Sequence, residues 1–549
     1  MNKTLKIILI CFAAVAALVA VGHGIVNRMA EKQIREALAN VPGVRIGFKD
    51  LDFSLMAGNV GLNDVEVELT DSTGKSPDIQ ASIDAIKLEG IRWRRLLKGE
   101  AQAKRLVIRK PEAKVTLSKK AKAQKKKEKK AVEEASAGQA SFLKAISLSE
   151  LRVEKGKIGL ESRGNAMKAS LKELGVSVRD IGVQLEDSTW EFNDSSYSFK
   201  LDSLDYIDET GLNRIKIARL STADAGPVEA RGMHFYNCVP MEKMAERLGK
   251  VAAMWYDAQL DSLQTDSLNI PRLMSSQRIE IGRVHLSGPK AVVFQDDRYP
   301  PAVPYPTIQE GLNNMGMPLK IKQIDAHLKT FTFIWQTTDA NRGTFPMENV
   351  RVTASSIGNA PGNVMKMDIK TGKKGSSHIN MAISVRNNKQ EETQGTFRVE
   401  DWDASTLEPF VKPLFGVTLQ ANIHKIDSRF KGDKHQMTSD FCMTYDNLAA
   451  KAWKDESAPI KLVSQNSGLI TFLAKVILPK SNPTHPGKEP KKVEFTFKRD
   501  PMQPYPAYLI QNLTNGMLKT VLPGSVEKAS ANKKSADQKP ADKKSSKKK

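Results

Sequence analysis

The chain is poor in the residues from which disulfide scaffolds, metal centres and catalytic sites are built. Three cysteines in 549 residues, Cys11, Cys238 and Cys442, make neither a disulfide framework nor a zinc site. Cys238 and Cys442 could pair only in an oxidising compartment. Eight histidines are scattered, and no H-E-x-x-H, G-x-S-x-G or phosphate-binding glycine loop occurs. The side-by-side carboxylates of "QDDRY" (295–299) point to opposite faces if that segment is a strand, so Asp296 and Asp297 are not expected to form an acid–base pair or a cation site. No catalytic, cofactor-binding or metal-binding residues are expected. The chain reads as non-enzymatic, with a hydrolase built from distant strands as the least favoured reading.

What is present in excess is lysine. The net charge is +22, but "SKKAKAQKKKEKKA" (118–131) and the final 23 residues (527–549) contribute seven and six of those charges. Neither run carries apolar residues beyond alanine, so neither can offset its own ordering entropy. They read as parts of a low-complexity loop (118–140) and a disordered tail (526–549), and the runs 118–131 and 527–549 are expected to be dispensable for folding. Attraction to an anionic membrane surface is the sharper alternative. No aromatic residues interleave with the lysines, and no nucleic-acid partner is expected.

"IILICFAAVAALVAVGHGIV" (7–26) has one polar side chain, His23. Twenty residues rising 1.5 Å each cover about 30 Å, a bilayer's hydrocarbon core. The run is longer than a signal-peptide core and lacks a good cleavage site, so an uncleaved single-pass anchor is favoured over a cleaved signal. Lysines and arginines on both sides leave the orientation undecided by charge. The six residues before the span are assigned to the cytoplasm, and the body then lies outside it. No second run of spanning length follows.

Beyond the anchor the pattern has period two. "RLVIRKPEAKVTL" (105–117) reads as strand, turn at Lys110-Pro111, strand; "GRVHLSGPKAVVF" (282–294) repeats the phrase around Gly288-Pro289. Alternation, a one-step slip, then alternation recurs in "NVGLNDVEVEL" and "LKELGVSVRDIGVQLED", predicting on the order of 20 antiparallel strands. Helical spacing is confined to a few places. Met244, Leu248, Val251 and Trp255 predict a helix over about 241–262. Short helices are expected at 307–316 and 405–416. A terminal amphipathic helix near 506–522 carries Leu509, Leu513, Met517, Leu518 and Val521 and stops at Pro523-Gly524.

"GIRWRRLLKGEAQAKRLVIRKPEAKVTL" (90–117), "SDFCMTYDNLAAKA" (439–452) and "FLAKVILPKSNPTHPGKEPKKVEFTFKRD" (472–500) resemble the AsmA-like proteins of bacterial envelopes, Bacteroidetes-type members in particular. The resemblance implies a mainly β fold: a transmembrane helix, an N-terminal strand module (27–117) and a long curved antiparallel sheet or groove (141–525). It implies a body in the periplasm, anchored in the inner membrane through 7–26. It also implies phospholipid as ligand, movement of that lipid toward the outer membrane, support of outer-membrane integrity, and an envelope protein as possible partner. Leu106, Ile108, Val115, Leu117, Val284, Leu286 and Val293 are then the candidate acyl-chain-facing residues. A sheet filled by its own side chains, acting as an assembly scaffold, explains the same alternation.

Overall fold

The computed structural model describes residues 44–54, 56–70, 77–96, 98, 100–117, 145–184, 189–192, 197–222, 226–266, 268, 278–337, 341–372, 378–415, 417–452 and 479–521. The anchor segment, both lysine runs and Cys11 lie outside them. Among the described residues there are 22 strands, and no helix there is long and apolar enough to cross a membrane. Two compact units emerge: residues 1–240 with 257–288, and 241–256 with 289–549.

In the first unit the short strands β1 (Val44–Gly47) and β2 (Asp50–Ser54) both pair with β3 (Asn59–Thr70). Next come β4 (Pro77–Glu89) and β5 (Glu100–Leu117), antiparallel, with a single helical turn α1 (Trp93–Leu96) between them. β6 (Ala145–Ser162) breaks the expected antiparallel rule. It lies parallel to β5, with Glu100 opposite Ala145 and Leu117 opposite Ser162. A parallel neighbour requires the chain to travel back along the strand before it can pair, and the lysine-rich segment between Leu117 and Ala145 is that return.

The sheet continues antiparallel into β7 (Lys168–Gln184), which pairs with β8 (Thr189–Phe192), β9 (Tyr197–Leu201) and β10 (Ser203–Ile207). β11 (Asn213–Thr222) joins both β9 and β10, and β12 (Val228–Asn237) and β13 (Ala253–Thr265) follow. β14 (Ile279–Asp296) contributes its first half to this unit; Ser262 Oγ and Ser287 Oγ are 2.7 Å apart.

The two strand–turn–strand phrases are corrected here, since each is one continuous strand of 18 residues. The slip in side-chain phase is a kink inside the strand. Lys110 has φ 42°, and Asp64, Lys155, Glu173 and Gly232 have φ 50°, 53°, 55° and 60°. A left-handed residue inside an extended strand exchanges the faces of the side chains that follow it. The kinks are in register. Asn63↔Ala85 and Val65↔Ile83 bracket the first, and Ala85↔Arg109 and Ile83↔Pro111 bracket the next. The β5–β6 and β6–β7 pairings likewise skip a step at Lys110, Lys155 and Glu173. One crease therefore crosses the strands, and apolar residues stay on one face on both sides of it. Before the crease Val60, Leu62, Leu88, Leu106, Ile108 and Leu96 of α1 form a buried core.

The expected helix over 241–262 is absent. Its start is a 3₁₀ turn (Met241–Lys243) and one α turn, α2 (Met244–Arg247), ended by Gly249 and Lys250 at φ 83° and 63°. The remainder is β13, whose Leu260 and Ala258 pair with Met233 and Phe235 of β12. Pairing across strands overrode the three- and four-residue spacing.

In the second unit, β15 (Leu319–Gln336), β16 (Arg342–Gly358), β17 (Val364–Thr371), β18 (His378–Arg386), β19 (Thr393–Asp403), β20 (Val417–Gly432), β21 (Gln436–Ala452) and β22 (Lys492–Lys498) form an antiparallel meander in chain order. The three remaining helices fall where spacing placed them. α3 (Ile308–Asn313) opens with a capping box of Thr307 and Glu310. α4 (Glu408–Phe415) packs on β16 and β20, and α5 (Tyr505–Val521) on β21 and β22. Together they close a core containing Val399, Ile423, Ile426, Phe441, Met443 and Phe495.

Candidate functional site

Beyond the crease the register of the first unit assembles two unbroken apolar rows. One runs Val67, Ala81, Ala113, Ile158, Leu171, Leu204, Ile217, Met233, Leu260; each residue faces the next on the neighbouring strand. The second runs Leu69, Ile79, Val115, Leu160, Ala169, Tyr206, Ile215, Phe235, Ala258. The row of opposite phase is polar: Glu68, Gln80, Lys114, Gly159, Ser170, Asp205, Lys216, His234, Gln259. Nine strands at about 4.8 Å spacing make the apolar band roughly 38 Å wide. From Ala113 to Ile217 its members are half-buried rather than buried, unlike the closed core of the second unit.

The candidate residues divide between environments. Val115 lies in the second apolar row. Leu106 (5 % exposed) and Ile108 (6 %) belong instead to the packed core, so their assignment to an open surface is corrected. Leu117 ends β5 and is exposed. Val284 is buried and Leu286 half-buried on the first half of β14. Val293 is half-buried in the second unit. Reading the sequence missed Leu160, Leu171, Leu204 and Ile217. Their strands alternate visibly, but which strand follows β5 in the sheet depends on a parallel pairing that alternation does not reveal.

An open hollow of about 850 Å³ lies against β3–β7, β10 and β11. At β10 and β11 it is lined by Asp205, Ile207 and Arg214, which alternate with Leu204 and Tyr206, so the hollow faces the polar side. Its charges balance, five acidic against five basic residues, and two pairs are joined: Lys157 Nζ sits 2.6 Å from Glu112 Oε1, and Arg214 grips Asp205 through 2.7 and 2.5 Å hydrogen bonds. The Arg214 guanidinium holds the Asp205 carboxyl below the usual carboxylate range, against the opposing effect of burial. Such a surface has no net field of one sign to concentrate a charged ligand.

In the second unit Asp296 and Asp297 have separate partners. Asp296 is fully buried and gripped by Arg298 Nη2 at 2.7 Å and Nε at 3.0 Å. Asp297 accepts hydrogen bonds from Gln295 Nε2 (2.6 Å) and Trp335 Nε1 (2.8 Å). No cluster of potential metal ligands occurs among the described residues, and Cys238 and Cys442 are both free.

Burial raises the Asp297 carboxyl above the usual range, with the two hydrogen bonds opposing. Folded Asp297 therefore holds its proton more tightly than unfolded Asp297. The resulting stability is fully present below the unfolded-state value and is lost as pH rises through the folded one. Denaturant unfolding across the mildly acidic range should show stability falling with pH, and Asp297→Asn should flatten part of that slope. Glu391, raised by burial in the same way, accounts for another part. An unchanged slope in the Asn variant would remove Asp297 from this role.

No family model matches the chain, and no curated protein sequence matches it.

Proposed function

We propose that this protein is a membrane-anchored envelope protein that handles phospholipid, with acyl chains lying on the apolar band of the first unit. The observation that carries the reading is the pair of apolar rows continuing across nine strands. A core strand needs apolar residues only where something packs on it, yet this band keeps half-exposed aliphatics throughout its middle. Each methylene removed from water contributes about 0.8 kcal/mol, so a sixteen-carbon chain gains on the order of 10 kcal/mol on a dry apolar surface. One leaflet of hydrocarbon is about 15 Å deep, half of a bilayer core, and the band exceeds that twofold. The AsmA-like resemblance supplies the direction, from inner membrane toward outer membrane. Assembly scaffolding remains the second reading, favoured by the filled core under α4 and α5.

A photo-crosslinking residue at Val115, Leu160 or Leu171 should capture phospholipid in cells, while the same residue at Lys114 should capture little. Leu160→Asp should keep the fold, because water can reach a half-exposed site, and should lose most of the captured lipid. Equal capture at Lys114 and Val115, or unfolding of Leu160→Asp, would favour the scaffold.

A further inference from the structure

Among the described residues β22 pairs on one side only, with β21, and the pairing runs from Lys492 to Lys498 without a bulge. The Arg499 N–H donates to the His435 carbonyl at 2.7 Å, which fixes the phase of the strand. Val493, Phe495 and Phe497 turn their backbone groups toward β21. Lys492, Glu494, Thr496 and Lys498 turn theirs outward, since successive residues of a strand bond to opposite sides. The same four side chains are exposed, while Phe495 is buried. No proline, kink or bulge blunts this edge, and a row of free N–H and C=O groups is a template for another strand. The charges along it are unfinished within the chain. Glu494 stands opposite Asp440 on β21, and like charges directly opposite are unfavourable. Lys492 and Lys498 stand opposite Cys442 and Gln436, neither of them acidic.

We propose that β22 pairs with β22 of a second copy of this chain, antiparallel, about a two-fold axis through Thr496. That register sets Glu494 opposite the partner's Lys498, and by symmetry Lys498 opposite the partner's Glu494. It also brings Lys492 toward the partner's Asp500, and Phe495 beside the partner's Phe497. Neighbouring registers fail on charge. An axis through Phe495 sets Lys492 against the partner's Lys498, twice. One through Glu494 sets two carboxylates together, and one through Phe497 sets Glu494 against the partner's Asp500. Of these centres, Thr496 is the one at which every facing charge is opposite. A strand of seven residues makes a small interface, so the dimer is weak and reversible. It does not depend on the lipid reading, because the outward groups lie on the sheet edge rather than on the apolar face.

Sedimentation of the full-length protein in detergent measures the association. Glu494→Lys sets lysine against lysine on both sides of the axis and should weaken dimerisation by about tenfold or more. It should not lower the melting temperature, because the side chain is exposed. Adding Lys498→Glu to it should restore the parent's association. The register is read by disulfide formation in protein whose Cys11, Cys238 and Cys442 are replaced by serine. Thr496→Cys should link two copies on oxidation, because a facing hydrogen-bonded pair holds its Cα atoms about 5.5 Å apart. Glu494→Cys should not, because the register displaces its two copies by four residues, about 13 Å. A monomer at every concentration, or a dimer indifferent to Glu494→Lys, would overturn the proposal. So would Glu494→Cys linking as readily as Thr496→Cys.

Discussion

Deleting residues 118–135 should fray the far end of the β5–β6 pair and lower the melting temperature by roughly 5 °C or more, at about 2 kcal/mol or more and a few degrees for each. Ala145 lies beside Glu100, and Glu100 is 17 residues from Leu117 along the same strand. At about 3.3 Å per residue the return distance is roughly 56 Å. The 27 residues 118–144 reach about 95 Å when extended, ample for the return. With 18 removed, the remaining nine reach about 35 Å, and roughly three paired residues would have to separate, since each one freed also lengthens the linker. Deleting only 118–125 leaves a reach of about 70 Å and should change little. Replacing 118–135 by glycine and serine at full length should also change little. The segment is thus expected to matter through its length rather than through its charge. Equal melting temperatures for the two deletions would contradict the parallel pairing.

Arg298→Ala should cost about 3–5 kcal/mol, because it strands a fully buried carboxylate. Asp296 has no exposure, and the Arg298 guanidinium meets both of its oxygens. The same guanidinium donates to the Glu242 carbonyl at 2.8 Å, tying the turn before α2 to the end of β14. Thermal unfolding of the variant should drop by about 10 °C. Replacing both partners, as Asp296→Leu with Arg298→Met, should recover most of the loss, since no charge is then left unpaired. A single variant that melts like the parent would show that Asp296 is hydrated or protonated rather than held as an ion pair.

The alternation in "NVGLNDVEVEL" and "RLVIRKPEAKVTL" settled the mainly β class, because a period of two has no other economical explanation. The slip in each phrase was also legible. Whether it meant a turn between strands or a kink within one was not, since both shift the side-chain phase by one residue; the partners of Arg109 and Pro111 on the same neighbouring strand decide it. Short helices carried by capping and terminal signals, such as Thr307–Glu310 and the run ending at Val521, were readable because their cues are local. The segment after Met241 misled because four apolar residues fit a helical period by chance, while the strand they enter is specified by β12. Of the candidate residues, Val115 was found from its own neighbours, but Leu106 and Ile108 have the same local pattern and lie under α1. Local sequence determines which side of a strand is apolar. What covers that side, and which strand lies beside it, depends on residues far along the chain: the return after β5 places Leu160 next to Val115, and α5 closes one apolar face while the other stays half-exposed.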